Sequence, residues 1–367
     1  MYTSDDLLHN ILSLGSWSTW KRGIEHVEEG INAWKDAFPE KNYQHVYFVG
    51  CGSSFYSGQI GKFFIESIAK LPSEARQAFS FTHYSNPELF NENTLVVGIS
   101  TTGNTSATLD ALSFANQSGA VTLAITADRD SKITEIADFS IFTGGPVTVI
   151  VKTFEYIQAL TALYILAFYL GNKEHRTSEE SRIYYSNQLF LAYSITKRFF
   201  DQEQDKIIDL VNKYHNSDIF FVLGSGINVG TAEEAALKLI EMAKVYADGY
   251  EMEDFFHGRD REITNKSPMF FLEPQNRDVK SMLNFLKFNQ MVEVPSILLT
   301  RHYKPEYKDL ADNVIFLGGD LDAILSPLVY ITPLYVFSYY LALKRGFLPL
   351  ERRYYVGALN VKYKNYD

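Results

Sequence analysis

Short apolar segments alternate along the chain with longer amphipathic segments of helical length. In the first half, runs rich in Val, Ile and Phe predict strands at residues 46–49, 79–84, 95–99, 121–125 and 139–142. Helices are predicted between them at residues 57–69, 105–117 and 133–137. Apolar strands that alternate with helices are typical of a parallel sheet covered on both faces. We therefore expect an α/β fold.

The same pattern begins again after a long helical region at residues 153–200. The second half predicts strands at residues 219–223, 269–272, 296–299 and 314–317. The segments VYFVGCGSSFYSG, from Val46, and IFFVLGSGINVGTAEEA, from Ile219, each read as a strand, a Gly/Ser turn and a helix. A polar break at residues 171–180 interrupts the connecting region. Two doubly wound parallel-sheet domains in tandem, residues 1–200 and 201–367, are favoured over one large sheet.

One stretch, residues 324–343, is long and apolar enough to raise the question of a membrane span. It contains Pro327 and Pro333, together with serine, threonine and tyrosine side chains. This composition suits a buried, partly kinked helix pair better than contact with lipid.

Composition and charge narrow the function classes. The formal net charge of -10 argues against nucleic acid or an anionic membrane as the main partner, because both require a basic surface. Cys51 is the single cysteine, so no intrachain disulfide is possible. The first residues lack the basic and apolar regions of a signal peptide. A cytoplasmic protein is expected.

Two loops rich in glycine and hydroxyl groups follow predicted strands, at residues 50–54 and 100–105. In a doubly wound sheet, ligands bind beyond the carboxyl ends of the strands. Glycine lets the backbone approach an anion, while hydroxyls and helix N-termini favour it. The alternative is that these hydroxyls are ordinary helix N-caps. Because dinucleotide and P-loop motifs are absent, the expected ligand is a phosphate but not a nucleotide.

A predicted helix at residues 234–244 places Glu234, Lys238 and Glu241 on one face. An exposed ion-paired stripe is the simplest interpretation. The other is an acid–base set completed by His257, since glutamate and histidine suit proton transfer near neutral pH. The sequence has neither the spacing of a zinc site nor a G-x-S-x-G elbow, so no metal, no cofactor and no serine nucleophile are predicted.

Together these segments resemble the sugar isomerase (SIS) domain proteins, specifically the isomerase half of glucosamine-6-phosphate synthase and the fructosamine-6-phosphate deglycases. The resemblance runs over nearly the whole chain and rests on the segments CGSSFYSG, ISTTGNTSATLDAL, EAALKLIE and FFHGRDREI. It implies two flavodoxin-like SIS domains in tandem.

The resemblance also implies roles for individual residues. The sugar phosphate would be held by Ser53, Ser54, Ser100, Thr101, Thr102 and Thr105. Lys238 would lie near the sugar, and Glu241 would move a proton between C1 and C2 through an enediol or enamine. His257 would assist ring opening from the neighbouring subunit, which implies a homodimer with shared active sites.

Departures from the family pattern bear on which reaction is run. No N-terminal cysteine nucleophile of a glutaminase is present, so we expect a deglycase or deaminase acting on a 6-phosphorylated ketosamine. An aldose–ketose isomerase and a non-catalytic sugar-phosphate sensor remain alternatives. Arg259 replaces the proline after His257-Gly258, and the tail lysine of the synthase has no firm counterpart, although Lys362 could serve.

Overall fold

The protein is built around two parallel five-stranded sheets. The computed structural model describes residues 3–37, 42–144, 150–171, 178–273 and 279–352. The strands of the first sheet are β1 His45–Gly50, β2 Ser73–Gln77, β3 Thr94–Ile99, β4 Val121–Thr126 and β5 Phe139–Phe142. Those of the second are β6 Ile219–Gly224, β7 Tyr246–Glu251, β8 Met269–Leu272, β9 Ser296–Thr300 and β10 Asn313–Phe316.

Helices cover both sheets and connect their strands. In the first half they are α1 Ser4–Ser13, α2 Trp17–Ala37, α3 Ser53–Phe64, α4 Ala78–Tyr84, α5 Ser106–Gln117, α6 Ile133–Ile136 and α7 Phe154–Gly171. The remainder are α8 Glu179–Gln202, α9 Gln204–Tyr214, α10 Asn228–Lys238, α11 Met252–Phe255, α12 Val279–Met291, α13 Pro305–Leu310 and α14 Ser326–Lys344.

The two sheets have the same topology. Their strand orders are β2-β1-β3-β4-β5 and, read from the corresponding edge, β7-β6-β8-β9-β10. Every adjacent pair is parallel. The predicted fold class, two doubly wound parallel sheets in tandem, is confirmed. The predicted domain boundary falls in the last turn of α8 and stays a prediction.

Local details repeat between the halves as well. The carboxylates of Asp138 and Asp312 accept hydrogen bonds from the backbone N–H groups of Thr122 and Ser296, each at 2.8 Å. Helices α3 and α10 both continue into a π-helical turn, Ile65–Ala69 and Leu239–Ala243. The residue after each turn is a lysine in the left-handed conformation. The duplication read from the sequence therefore extends to individual hydrogen bonds and turns.

One predicted strand is wrong: residues 79–84 belong to helix α4. The strand at this edge is β2, whose sequence SEARQ carries almost no apolar signal. Within α4, Ala78 and Phe81 are fully buried at helical spacing, whereas Phe79 is 51% exposed. The aromatic residues therefore mark one buried helix face, not a strand buried on both sides.

The apolar stretch near the C-terminus forms one helix, α14, with Pro333 in its interior, so the predicted helix pair is wrong. Among the described residues, α7 and the segment Ala323–Lys344 are apolar and long enough to cross a membrane. In each of the two, 89% of an 18-residue apolar stretch is buried inside the fold. Both helices contribute to one core that joins the two halves. The prediction that this stretch is buried is confirmed.

Candidate functional site

The two predicted ligand loops lie side by side at the carboxyl edge of the first sheet. They follow β1 and β3, which are direct neighbours with Val49 opposite Gly98. Helix α3 after β1 packs into the core shared by the two halves, whereas α5 after β3 packs on the other face of the sheet. Helices leaving neighbouring strands in opposite directions open a crevice, which is where doubly wound sheets bind ligands.

The second loop, residues 100–105, pairs its own hydroxyl groups. Ser100 Oγ lies 3.1 Å from Thr105 Oγ1, across the mouth of the loop. Thr105 occupies the N-cap position of α5, yet its hydroxyl makes no capping hydrogen bond. The N-cap alternative therefore does not account for the Thr105 hydroxyl. Thr101 and Thr102 lie between these two residues and are partly exposed.

Gly103 shapes this loop. Its φ of +61° lies in the left-handed region, and a Cβ at this position would clash with the Ser131 side chain. The Gly103 carbonyl accepts a hydrogen bond from Ile133 N at 2.9 Å, and the Thr101 carbonyl accepts one from Ala127 N at 3.1 Å. The loop is thus fixed to the segment that follows β4, and its hydroxyls are held in place.

The first loop, residues 50–54, includes Ser53, which contacts helix α10 of the second half. Gly52 has a φ of +54° and is the N-cap of α3 without a side-chain capping bond. Ser53 is the first residue of α3, and its Oγ accepts a hydrogen bond from Lys238 Nζ at 3.0 Å. Ser54 lies next to it and is partly exposed. Ser53 therefore joins the predicted phosphate loops to Lys238.

Lys238 lies between two carboxylates at the end of α10. Its Nζ lies 2.6 Å from Glu241 Oε2 and 3.3 Å from Glu234 Oε1. The side chains of Lys238 and Glu234 are buried, whereas that of Glu241 is 32% exposed. Interpreting these residues as an exposed ion-paired stripe is wrong, because α10 packs against α3 and α14. Glu241 alone of the three can meet a ligand directly.

The π-helical turn Leu239–Ala243 carries Glu241. After Lys238 the helix widens, so Glu241 lies on the π-helical turn instead of a regular α-helical one. Turns of this kind are frequent at functional sites. The turn ends at Lys244, whose Nζ contacts the Glu241 carbonyl.

Burial and charge act in opposite directions on the ionisable groups of this site. Burial raises the pKa of Glu234 to about 7, although the Lys238 charge offsets part of that rise. Burial alone would lower the pKa of Lys238, but the charges of Glu234 and Glu241 raise it above its ordinary value. Lys238 is therefore an ammonium ion at neutral pH.

His257 lies apart from these groups in the same chain. Its side chain is 71% exposed and lies 3.9 Å from Glu253. The residue that replaces the family proline, Arg259, pairs with Asp248 at 2.6 Å and stacks on Tyr250. Within the described residues, no hydrogen bond or ion pair joins His257 to Glu241. Lys362 lies outside the described residues.

Sequence reasoning missed one residue that the fold brings to this site. Tyr335 on α14 donates a hydrogen bond to Glu234 Oε1 at 3.1 Å. The two residues are 101 positions apart, so no spacing rule links them. The sequence had indicated Glu234, which precedes Lys238 by one helical turn. In the described part of the chain, no three His, Cys, Asp or Glu side chains are placed to hold a metal ion.

Both halves of the chain match a known protein family. The sequence profile of the SIS domain matches residues 41–168 and 213–345, which together cover both sheets. The chain belongs to the SIS domain family. Each match contains one of the two five-stranded sheets, so the duplicated unit is the SIS domain.

The relatives and solved structures that match the chain include proteins named for hexose 6-phosphates. A glutamine–fructose-6-phosphate aminotransferase (isomerizing) of Methanothermobacter thermautotrophicus is 31% identical over 83% of this chain and 50% of its own length. The chain spans about half the length of the curated relatives it matches. The C-terminal domain of glucosamine-fructose-6-phosphate aminotransferase from Francisella tularensis superposes with a TM-score of 0.80 at 21% identity, covering 94% of this chain and 98% of that one. Glucosamine-6-phosphate deaminase from Thermotoga maritima superposes with a TM-score of 0.75 at 21% identity, covering 95% of this chain and 97% of that one.

The two SIS domains differ at the strand end that carries Ser100. Ser100 N donates to the carbonyl of Ile125, and the matching bond of the second SIS domain runs from Glu273 N to the carbonyl of Leu299. The Glu273 carboxylate is buried and accepts hydrogen bonds from the hydroxyls of Thr300 and Tyr307, each at 2.6 Å. A buried carboxylate at this position disfavours a second anion. Only the first SIS domain has a hydroxyl, Ser100, at this strand end.

Proposed function

We propose that this SIS protein is a deglycase or deaminase that acts on a 6-phosphorylated ketosamine and releases a hexose 6-phosphate and an amine. One observation carries the proposal. The Lys238 ammonium contacts Ser53 Oγ of the first SIS domain at 3.0 Å and Glu241 Oε2 of the second at 2.6 Å. A phosphate held at the loops would present its sugar to a carboxylate that is fixed by a neighbouring cation.

The residues divide into a phosphate side and a chemical side. The phosphate would be held by hydroxyls and backbone amides at Ser53, Ser54, Ser100, Thr101, Thr102 and Thr105. These loops contain no acidic residue to repel it. Glu241 is the exposed member of the acid–base set and supplies the general base.

The reaction follows from what Glu241 can do. The carboxylate takes a proton from C1 of the open-chain ketosamine, and the C–H electron pair forms the C1–C2 double bond of an enaminol as the C2 carbonyl oxygen is protonated. Return of the proton to C2 gives a protonated imine at C1. Water adds to that imine, the C–N bond breaks, and the amine leaves with a proton. The products are an aldose 6-phosphate and the free amine.

The names of the relatives support this substrate class. One is an aminotransferase of fructose 6-phosphate and another a deaminase of glucosamine 6-phosphate. Both names join a hexose 6-phosphate to an amino group. An aldose–ketose isomerase would use the same proton transfer without loss of an amine, so only substrate assays separate the two.

We propose further that the site is completed in a homodimer. His257 is the one predicted catalytic residue that does not approach Glu241 within the chain, and its side chain is exposed. Ring opening needs a group that moves a proton at the ring oxygen, and histidine suits that task at neutral pH. A second copy would bring its His257 to the site. The cytoplasmic location stays a prediction.

The decisive experiment offers the protein 6-phosphorylated fructosamines of amino acids, fructose 6-phosphate, glucosamine 6-phosphate and the unphosphorylated counterparts. We expect release of amine and glucose 6-phosphate from a phosphorylated fructosamine and no turnover without the phosphate. Interconversion of hexose 6-phosphates without release of any amine would favour the isomerase. Thermal stabilisation by hexose 6-phosphates without any turnover would favour a sensor.

A further inference from the structure

Glu234 is a buried carboxylate for which the proposed reaction has no direct use. Its side chain is 0% exposed, whereas Glu241 on the other side of Lys238 is 32% exposed. A substrate therefore reaches Glu241 but not Glu234. Because Glu234 is fully buried and paired with the Lys238 ammonium, it can influence the reaction only through that ammonium.

Helix α14 fixes this carboxylate from the opposite side. Tyr335 is fully buried and its hydroxyl donates to Glu234 Oε1 at 3.1 Å. The same oxygen lies 3.3 Å from Lys238 Nζ. Three side chains thus form a chain of contacts that runs from α14 through α10 to the Ser53 hydroxyl of the first SIS domain.

We propose that Tyr335 and Glu234 are positioning residues that hold the Lys238 ammonium against Ser53 and Glu241. The proposal rests on the proposed function of Glu241 and makes helix α14 part of the proposed active site. The Tyr335 hydroxyl holds the Glu234 carboxylate at one place. In its ionised form, that carboxylate supplies Lys238 with an anion that no substrate can displace.

The need for a second anion follows from the reaction itself. When Glu241 takes a proton from the sugar carbon, it becomes neutral and Lys238 loses one of its two counterions. The cation is then held less firmly beside Glu241 and is free to shift away from it. A fixed Glu234 keeps it in place through this step, which is how preorganised charges lower a barrier.

The other charged and hydroxyl groups around Glu234 and Tyr335 lie on α3, α7, α10 and the turn that follows α10. They are Ser53 and Tyr56 of α3, Glu155 and Tyr156 of α7, Glu233 and Lys238 of α10, and Glu241 of the following turn. Only Lys238 among them carries a positive charge. Loss of the Glu234 charge therefore acts first on Lys238 and through it on Glu241.

The test compares Tyr335→Phe with Tyr339→Phe, which removes a hydroxyl from a buried tyrosine one turn further along α14. The measured rate is exchange of the C1 proton of a 6-phosphorylated fructosamine with solvent deuterium. We expect Tyr335→Phe to lower this rate about tenfold with KM changed less than about twofold, and Tyr339→Phe to leave both unchanged. Equal exchange rates in the two variants would overturn the proposal.

Glu234→Gln supplies a second readout that a packing role would not move. The amide can still accept the Tyr335 hydrogen bond but carries no charge. Without that negative charge, Lys238 loses its proton more readily, so the alkaline limb of the pH–rate profile should move to lower pH. A lower rate with an unmoved profile would mean that Glu234 only packs, and would overturn the proposal.

A measurement that needs no turnover separates this proposal from the proposed function. In protein labelled with 15N-lysine, the Lys238 ammonium of the wild type should give a sharp signal, assigned by its loss in Lys238→Met. Tyr335→Phe should broaden or shift it and Tyr339→Phe should not. Absence of proton exchange in the wild type would refute the proposed function alone. An unchanged Lys238 signal in Tyr335→Phe would refute the positioning role.

Discussion

Lys238 shows how a single buried charge can define a site. An ammonium ion without partners in a protein core costs several kcal/mol, so its burial requires anions in contact with it. Glu234 and Glu241 supply them from the same helix, and Ser53 supplies a hydroxyl from the other SIS domain. The charge that holds Glu241 in place is thus itself held by both halves of the molecule.

Replacing Glu241 by Gln tests the general base. The amide has nearly the same shape but cannot accept a proton, so kcat should fall about 1,000-fold. Affinity for hexose 6-phosphates should stay within about twofold of the wild type, because the phosphate loops are unchanged. Turnover and thermal shift measure the two quantities. Glu25→Gln, at an exposed position of α2, is the control, and full activity of Glu241→Gln would exclude this role.

Gly103 and Gly226 form a matched pair for testing the second phosphate loop. Both have positive φ, but a Cβ on Gly103 clashes with Ser131 whereas one on Gly226 has nothing within 4 Å. Gly226→Ala should lower the free energy of unfolding by about 1 kcal/mol, and Gly103→Ala by about 3 kcal/mol. Chemical denaturation checks both values.

The same pair separates loop geometry from backbone strain. Phosphate-dependent stabilisation should be lost in Gly103→Ala and kept in Gly226→Ala, because only the first change moves residues 100–105. Retention of phosphate binding in a folded Gly103→Ala protein would show that the phosphate is held elsewhere.

At the scale of elements, the central strands were predictable, whereas β2 and β7, at one edge of each sheet, were not. The central strands β1, β3, β6 and β8 are apolar along most of their length, because helices bury both of their faces. The edge strands β2 and β7 read SEARQ and YADGYE and are only partly buried. Edge strands face one neighbour and some solvent, so their sequences need little hydrophobic pattern.

Helix α10 should make stability depend on pH through Glu234. Burial raises the pKa of this carboxyl from 4.5 to about 7, so the folded state binds the proton more tightly than the unfolded one. Stability from this source is complete below pH 4.5 and is lost as pH rises through about 7. The change is on the order of 3 kcal/mol.

Glu234→Gln should flatten this part of the stability profile. Denaturation at several pH values between 4.5 and 7 measures the slope, with Glu25→Gln as the exposed control. The remaining slope should reflect Glu233, whose pKa burial also raises to about 7. A slope equal to that of the wild type would show that Glu234 does not take up the proton.

At the scale of the whole molecule, the proposed site lies where the two SIS domains meet. The first domain supplies the hydroxyl loops and the second supplies the carboxylate and the ammonium. The duplicated strand end in the second domain carries Glu273 instead of a serine, so the repeats have diverged into two roles. Each proposed site therefore needs residues from both SIS domains of a chain.

Mixed dimers test whether two chains share each site. Glu241→Gln and His257→Asn should each be nearly inactive alone. Co-expressed, they should recover about a quarter of the wild-type activity, because half of the dimers are mixed and each mixed dimer has one intact site. Separately tagged mixed dimers, once purified, should show about half of the wild-type activity. No recovery in such dimers would place Glu241 and His257 of one chain in the same site.

Residue order alone indicated the α/β class, the duplication, most strands and the loops rich in hydroxyls, because strand burial and turn chemistry leave local patterns. It also placed Glu234 and Glu241 on the same helix face as Lys238, but it did not indicate the contact of Lys238 with Ser53. Whether Glu234 faces solvent or the core depends on α3 and α14 packing against α10, and Tyr335 reaches it across 101 residues. Contacts between distant segments leave no periodic signal in a single sequence, so packing settled which of two plausible charge patterns this helix has.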